Sequence, residues 1–321
     1  MAEPNALRWN RRPGHYEVYY VTLTDPASGI GIWVRYTLEA PLAGDASCAL
    51  WFAAMDPAGQ GQVTARKLTL PIAELNFERE PFGLQIGSAE LTDTSASGAF
   101  EDVSWDLHWA PGRAYQPVPA LLRPFASTVL VLANGDTEVT GRCEFAGHNL
   151  ELAGARGGQT HLWGAKHAQS WSWGRCSDFR TESGERVEDT FIDGVSAYVR
   201  RFGRELGPAI LLAGRIDGED FRASALRSRA STFGLEGWRF AAAAGGRKLL
   251  VEIEPDHKLL AGVTYHDPDG EPAYCYNSEA ASIRLEVHED GGRSRTLVGD
   301  GCAHFEYGQR EPLPDLKLHL P

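Results

Sequence analysis

HLWGAKHAQSWSWGRCSDF, residues His161 to Phe179, holds two histidines, three of the chain's nine tryptophans, an arginine, a cysteine and an aspartate. A helix would gather His167, Trp171 and Arg175 on one face and throw Trp173 off it. A strand alternates its side chains and puts His167, Gln169, Trp171, Trp173 and Arg175 on one side. Lys166, Ala168, Ser170, Ser172 and Cys176 fall on the other. Gly164 and Gly174 bracket the run and permit bulges or bends. The stretch therefore reads as one long strand. Polar groups interleaved with tryptophan each need a partner in a dry core, so this face is expected to line a cavity. Plain core is the alternative.

Outward from this strand, the pattern is β throughout. Ile30, Ile32, Val34, Tyr36 and Leu38 alternate with Gly31, Trp33, Arg35 and Thr37, and Val103, Trp105, Leu107 and Trp109 share another face. Ser282 to His288 alternates as cleanly. Asn134-Gly135 is a hairpin signal, and Asp56-Pro57 a turn. The 35 glycines and 18 prolines favour turns over long helices. Helix signals are few: Pro71–Leu75 and Ala223–Ser228 allow a turn or two each. Many short strands at near-regular spacing predict an all-β protein, a sandwich or barrel. At 321 residues the chain is too long for one small barrel. Gly154–Gln159 (GARGGQ) is the most hinge-like segment. The expected organisation is a polar leader over 1–15, a first β-domain over 16–153 and a second over 154–321.

Composition narrows function. With 43% apolar residues the chain is an ordinary folded protein, and its net charge of −12 opposes long-range attraction to nucleic acid or an anionic membrane. No run approaches the ~18 apolar residues of a membrane span, and the N-terminus lacks a signal-peptide core. Cys48, Cys143, Cys176, Cys275 and Cys302 show no C-x-x-C pair or zinc spacing. Buried free thiols and a cytoplasmic location are expected.

Motifs for cofactors are missing. No phosphate loop, G-x-G-x-x-G unit or G-x-S-x-G elbow occurs. His161 and His167 would lie roughly 20 Å apart on a strand, too far to share a metal without a sharp turn. No metal and no cofactor are expected. Asp178 and Glu279 are candidate acids, because a carboxyl walled by tryptophan loses solvation and holds its proton; either could equally be a surface residue. Trp33, Trp51, Trp163, Trp171, Trp173, Tyr274 and Tyr276 are candidate walls for an apolar ligand.

Trp9 with Gly14–Tyr20, the Gly29–Leu38 strand, Leu50–Phe52, Trp163-Gly164 and Trp171–Trp173 resemble the lipocalin-like double-domain superfamily. That group holds carotenoid hydratases (hydroxyneurosporene synthases), AttH-like proteins and tocopherol cyclase, with fungal Diels–Alderases as distant relatives. The resemblance spans nearly the whole chain. It implies two consecutive lipocalin-like β-barrels with little helix and a pocket at their junction. It also implies hydration or cyclisation of a terpenoid-like double bond after protonation. The hydratases carry an acidic residue beside a histidine before their W-G. Here His161-Leu162-Trp163-Gly164 keeps the histidine without that neighbour, so Asp178 would have to serve, or the chemistry differs. The expected function is cofactor-independent acid catalysis on a small hydrophobic molecule. Asp178 or Glu279 would be the acid, and His161 and His167 would tune or relay protons. The alternative is a lipid- or pigment-binding carrier. A desolvated carboxyl next to histidine at the pocket floor would favour catalysis.

Overall fold

The computed structural model describes residues 3–320 except 60–61, 121–122, 124–125, 202, 226–230 and 290. The chain is all-β. Among the described residues, eleven strands form the first sheet. They are β1 (His15–Thr24), β2 (Gly31–Ala40), β3 (Ser47–Asp56), β4 (Gln62–Pro71), β5 (Leu75–Glu78), β6 (Gly83–Ile86), β7 (Ala89–Thr92), β8 (Ser95–Phe100), β9 (Val103–Trp109), β10 (Thr128–Phe145) and β11 (His148–Gly164). Their order is β4-β3-β2-β1-β11-β10-β9-β8-β7-β6-β5. A 3-10 turn at Ile72–Glu74 joins the two edge strands β4 and β5, so the sheet curls back on itself. This turn is the expected helical stretch at Pro71–Leu75. At the other expected stretch, Ala223–Ala225 is strand and 226–228 lie outside the described residues.

The second sheet is built from β12 (Ser170–Cys176), β13 (Phe179–Thr181), β14 (Arg186–Val187), β15 (Phe191–Arg201), β16 (Arg204–Ile216), β17 (Glu219–Ala225), β18 (Thr232–Gly234), β19 (Gly237–Ala244), β20 (Arg247–Glu254), β21 (Ala261–His266), β22 (Pro272–Glu289), β23 (Ser294–Gln309) and β24 (Leu318–Leu320). Its main path is β17-β16-β15-β12-β23-β22-β20-β19-β18. The tryptophan strand β12 thus sits between β15 and β23, with Trp171 opposite Gly308, Trp173 opposite Glu306 and Arg175 opposite His304.

Alternation explains why β1 is buried along nearly its whole length. Tyr19, Val21 and Leu23 pack in the core inside the first sheet, whereas Tyr16, Val18 and Tyr20 pack in a separate cluster with Trp171 and Trp173 of the second. Both faces are therefore covered. The second sheet does the same: Cys176, Phe305 and Ala303 fill its own interior, while Trp171, Trp173 and Cys275 face the first sheet.

The chain changes sheet between Gly164 and Ser170. Gly154–Gln159, expected to be a hinge, lies inside β11. Its glycines serve close approach, not bending. A Cβ on Gly157 would sit 2.3 Å from the Thr22 carbonyl oxygen, and one on Gly158 2.1 Å from the Arg175 guanidinium. That space lets Arg175 cross to the first sheet, where Nη2 donates to the carbonyls of Gly135 and of Gly157 (2.9 Å).

Candidate functional site

Between the two sheets lies a cavity of about 760 Å³. The polar groups on the wall formed by the second sheet fall in successive rows: β12, β22 and β23 present alternate residues to the inner ones, and the outermost lies where the chain enters or leaves the strands.

The outermost row centres on His167, which keeps 14% of its side chain exposed. Its Nδ1 lies 2.6 Å from Asp267 Oδ1, and its backbone N–H donates to the same oxygen at 2.8 Å. Arg310 Nη1 donates to Asp267 Oδ2 at 2.7 Å. Burial pushes the Asp267 carboxyl up, but the hydrogen bonds from His167 and Arg310 outweigh it and hold the group below its ordinary value. An ionised Asp267 accepts, so Nδ1 is the nitrogen that donates to it. The ring stacks on Tyr16 at 4.7 Å and Tyr265 at 5.4 Å.

In the middle row Glu306 accepts the indole N–H of Trp171. Burial raises the phenols of Tyr20 and Tyr265 far above their usual range, so both stay neutral. Cys275 is likewise held as a thiol, by burial and by the Glu306 charge beside it. It is therefore a poor nucleophile.

The innermost row is Glu279 with His304. Nδ1 lies 2.5 Å from Oε2, and each side chain is 3% exposed. Glu279 and Glu306 both line the cavity, as do His167, Trp171, Trp173 and Trp33.

The other expected site residues lie elsewhere. His161 is buried on the opposite face of the first sheet, with Nε2 2.8 Å from Glu17 and the ring stacked on Tyr19. There it helps hold the N-terminal segment, since Glu17 also accepts the backbone N–H groups of Arg8 and Trp9. Trp163 lies beside His161 with the Arg8 guanidinium 5.0 Å above its ring. Asp178 pairs with Arg186 at 3.3 Å and does not line the cavity. Trp51 is one layer back, behind Trp33 and Tyr265. Tyr274 and Tyr276 alternate away from Cys275 and Asn277; the Tyr276 hydroxyl accepts the Leu313 N–H at 2.7 Å.

Sequence reading missed Arg35, Tyr265, Asp267, Asn277, His304, Glu306 and Arg310. Glu306 left one trace, a lone carboxylate between Phe305 and Tyr307 on an alternating strand. Asp267, Asp269 and Glu271 bring carboxylate oxygens within 4.8 Å of one another, the kind of set that can hold a cation. Lys166 Nζ already lies 2.6 Å from Asp269 and 2.5 Å from Glu271, with Arg310 on Asp267.

No family model matches the chain. It is 29% identical over 323 residues to an uncharacterized protein of Mycobacterium tuberculosis, covering 94% of this chain and 89% of that one. Among solved structures it superposes on CghA with a TM-score of 0.64 at 10% identity, over 92% of this chain and 88% of that one. A protein described as AttH, from Nitrosomonas europaea, gives 0.56 at 12% identity over 97% and 100%. Kievitone hydratase from Nectria haematococca gives 0.53 at 10% identity over 96% and 95%. The chain has their fold. The resemblance read from the Trp9–Tyr20, Gly29–Leu38 and Trp171–Trp173 motifs therefore holds for architecture: two consecutive lipocalin-like β-barrels.

Proposed function

We propose that the protein is a cofactor-independent hydratase or cyclase for a hydrophobic, terpenoid-like alkene, with each sheet one domain and the reaction in the cavity between them. The observation that carries this reading is the Glu279–His304 pair at the buried end of an aromatic cavity. At 2.5 Å a proton lies between nitrogen and oxygen. In a site shielded from water that proton is available to an alkene carbon and is not lost to solvent. The π pair forms the new C–H bond and leaves a positive carbon. Trp173 and Tyr20 present aromatic surface to it, and the Glu306 carboxylate lies two residues along β23 from His304, about 7 Å away. A cyclase closes a ring on that carbon and gives up a proton to Glu306. A hydratase adds water there, and the water's proton goes to the same carboxylate. His167, oriented by Asp267 at the accessible end, passes protons between the cavity and solvent.

The name kievitone hydratase agrees with such chemistry, though that protein shares only 10% of its residues with this one. The test is to incubate the protein in D2O with a panel of polyprenoid and aryl alkenes and to follow mass. Deuterium incorporation or addition of D2O, absent in E279Q, supports the reading. Ligands bound and recovered unchanged would make the protein a carrier.

A further inference from the structure

The buried and half-buried arginines between and within the sheets differ in what they face. Arg156, Arg175 and Arg310 each lie against a carboxylate, with Asp136, Asp193 and Asp267 at 2.5, 3.5 and 2.7 Å. Arg35 on β2 does not. It is 7% exposed and lines the cavity, and its Nε, like those of Arg156 and Arg175, is buried with no hydrogen-bond partner among the described residues. Ring faces surround it instead, with Tyr265 at 4.4 Å, Trp51 at 5.3 Å and Trp33 at 5.4 Å from the guanidinium carbon.

Ring faces attract a cation, but they do not satisfy the in-plane N–H fork of a guanidinium. Lys67 adds a second positive charge, its Nζ 3.9 Å from the ring of Trp51, one of these three. The cavity's own carboxylates are hydrogen-bonded elsewhere, Glu306 to Trp171, Glu279 to His304 and Glu271 to Lys166. A buried cation with no carboxylate in contact is costly. A planar carboxylate would accept two of its parallel N–H bonds.

We propose that the cavity's ligand is an amphiphilic acid, its hydrophobic body lying along the tryptophans and its single carboxylate seated in the Arg35 fork. This rests on the cavity being the substrate site. It also sets where the molecule reacts. Gly31, on the same strand, packs against the Glu279 carbonyl; its Cβ position falls 1.8 Å from that oxygen. Arg35 lies four positions along β2 from Gly31, roughly 13 Å between Cα atoms. The acid group therefore anchors one end, and the bond that is protonated lies further along the body, at the Glu279 end of the cavity.

The experiment compares 1-pyrenebutyric acid with its methyl ester, by fluorescence titration of the full chain at pH 7.5. Wild type is expected to bind the acid at least about tenfold more tightly than the ester. R35Q should lose about tenfold for the acid and leave the ester within about twofold, and R35K should retain part of the preference. The wild-type comparison stands even if R35Q does not fold. Equal affinity for acid and ester overturns the Arg35 seat while leaving the cavity a binding site. Binding of neither overturns the cavity reading and this proposal with it.

Discussion

His304 Nδ1 lies 2.5 Å from Glu279 Oε2, and both groups are closed off from bulk water while Glu279 still lines the cavity. E279Q preserves shape and removes the exchangeable acid. It is expected to bind the pyrene probes within about twofold of wild type and to incorporate no deuterium into any alkene. Undiminished incorporation would show that the proton comes from elsewhere. E279A, which leaves His304 buried without its partner, should cost about 3–5 kcal/mol in urea unfolding.

Asp267 holds both His167 and Arg310. D267A takes the nearer carboxylate from Arg310 and leaves it Glu271 at 3.9 Å, an expected loss of about 3 kcal/mol. D267N retains the volume but no longer fixes the proton on Nδ1. Histidine 15N spectra should show His167 as the Nδ1–H tautomer in wild type and a mixture in D267N. An unchanged tautomer would mean that Asp267 does not orient the ring.

Glu17 supplies a pH dependence. Burial pushes its carboxyl up, but hydrogen bonds from His15 and His161 outweigh that and hold it at about 2 against an ordinary 4.5. Because the folded value is depressed, the stabilisation is complete above about pH 4.5 and is lost as pH falls towards 2. Its size is roughly 3 kcal/mol. The stability gap between wild type and E17Q should therefore narrow by about that much from pH 5 to pH 2. A gap independent of pH would contradict an ionised Glu17.

The same residues show what was legible in the sequence. Period-two alternation placed Trp171 and Trp173 on one face, and the structure puts both on the cavity; the expected single long strand is broken after Gly164, and His167 reaches the cavity from the connection before β12, where Lys166, Ala168 and Gln169 line it too. Alternation could not say which side of the barrel that face meets. In β1 and β12 both sides are buried, one inside a barrel and one between the sheets. His161 and Trp163 consequently went to the wrong compartment. Partners were hidden by distance along the chain: Asp267 is 100 residues from His167, and His304 is 25 from Glu279. A bulge between Ser278 and Ala281 in β22 shifts the face partway along the strand, so no single parity described it. Gly157 and Gly158 looked like a hinge because glycine that gives way to a neighbour and glycine that bends are the same letter.

Gly31 tests the seam between the sheets. Its missing Cβ would lie 1.8 Å from the Glu279 carbonyl oxygen, a backbone atom that no rotamer change can move. G31A should cost about 3 kcal/mol or more, at or above the usual range for overpacking, and should weaken pyrene-probe binding because the strain falls at the cavity's inner end. Thermal unfolding and titration check both. A neutral G31A would mean that the two sheets are not pressed together there.

Trp171 separates wall from core. Its ring lines the cavity and its indole N–H donates to Glu306. W171A removes both features, and W171F keeps apolar surface while removing the donor. Apolar probe affinity should fall by roughly 1–3 kcal/mol in W171A, the scale of lost large-side-chain burial, and stay near wild type in W171F. Thermal unfolding should register W171F through the unsatisfied Glu306 carboxylate, at about 1–3 kcal/mol. Far-UV dichroism should be unchanged in both, since the strands on either side of β12 retain their ladders. Large loss of stability in W171A with unchanged probe affinity would make Trp171 plain packing between the sheets, and the cavity would then have to bind its ligand without this wall.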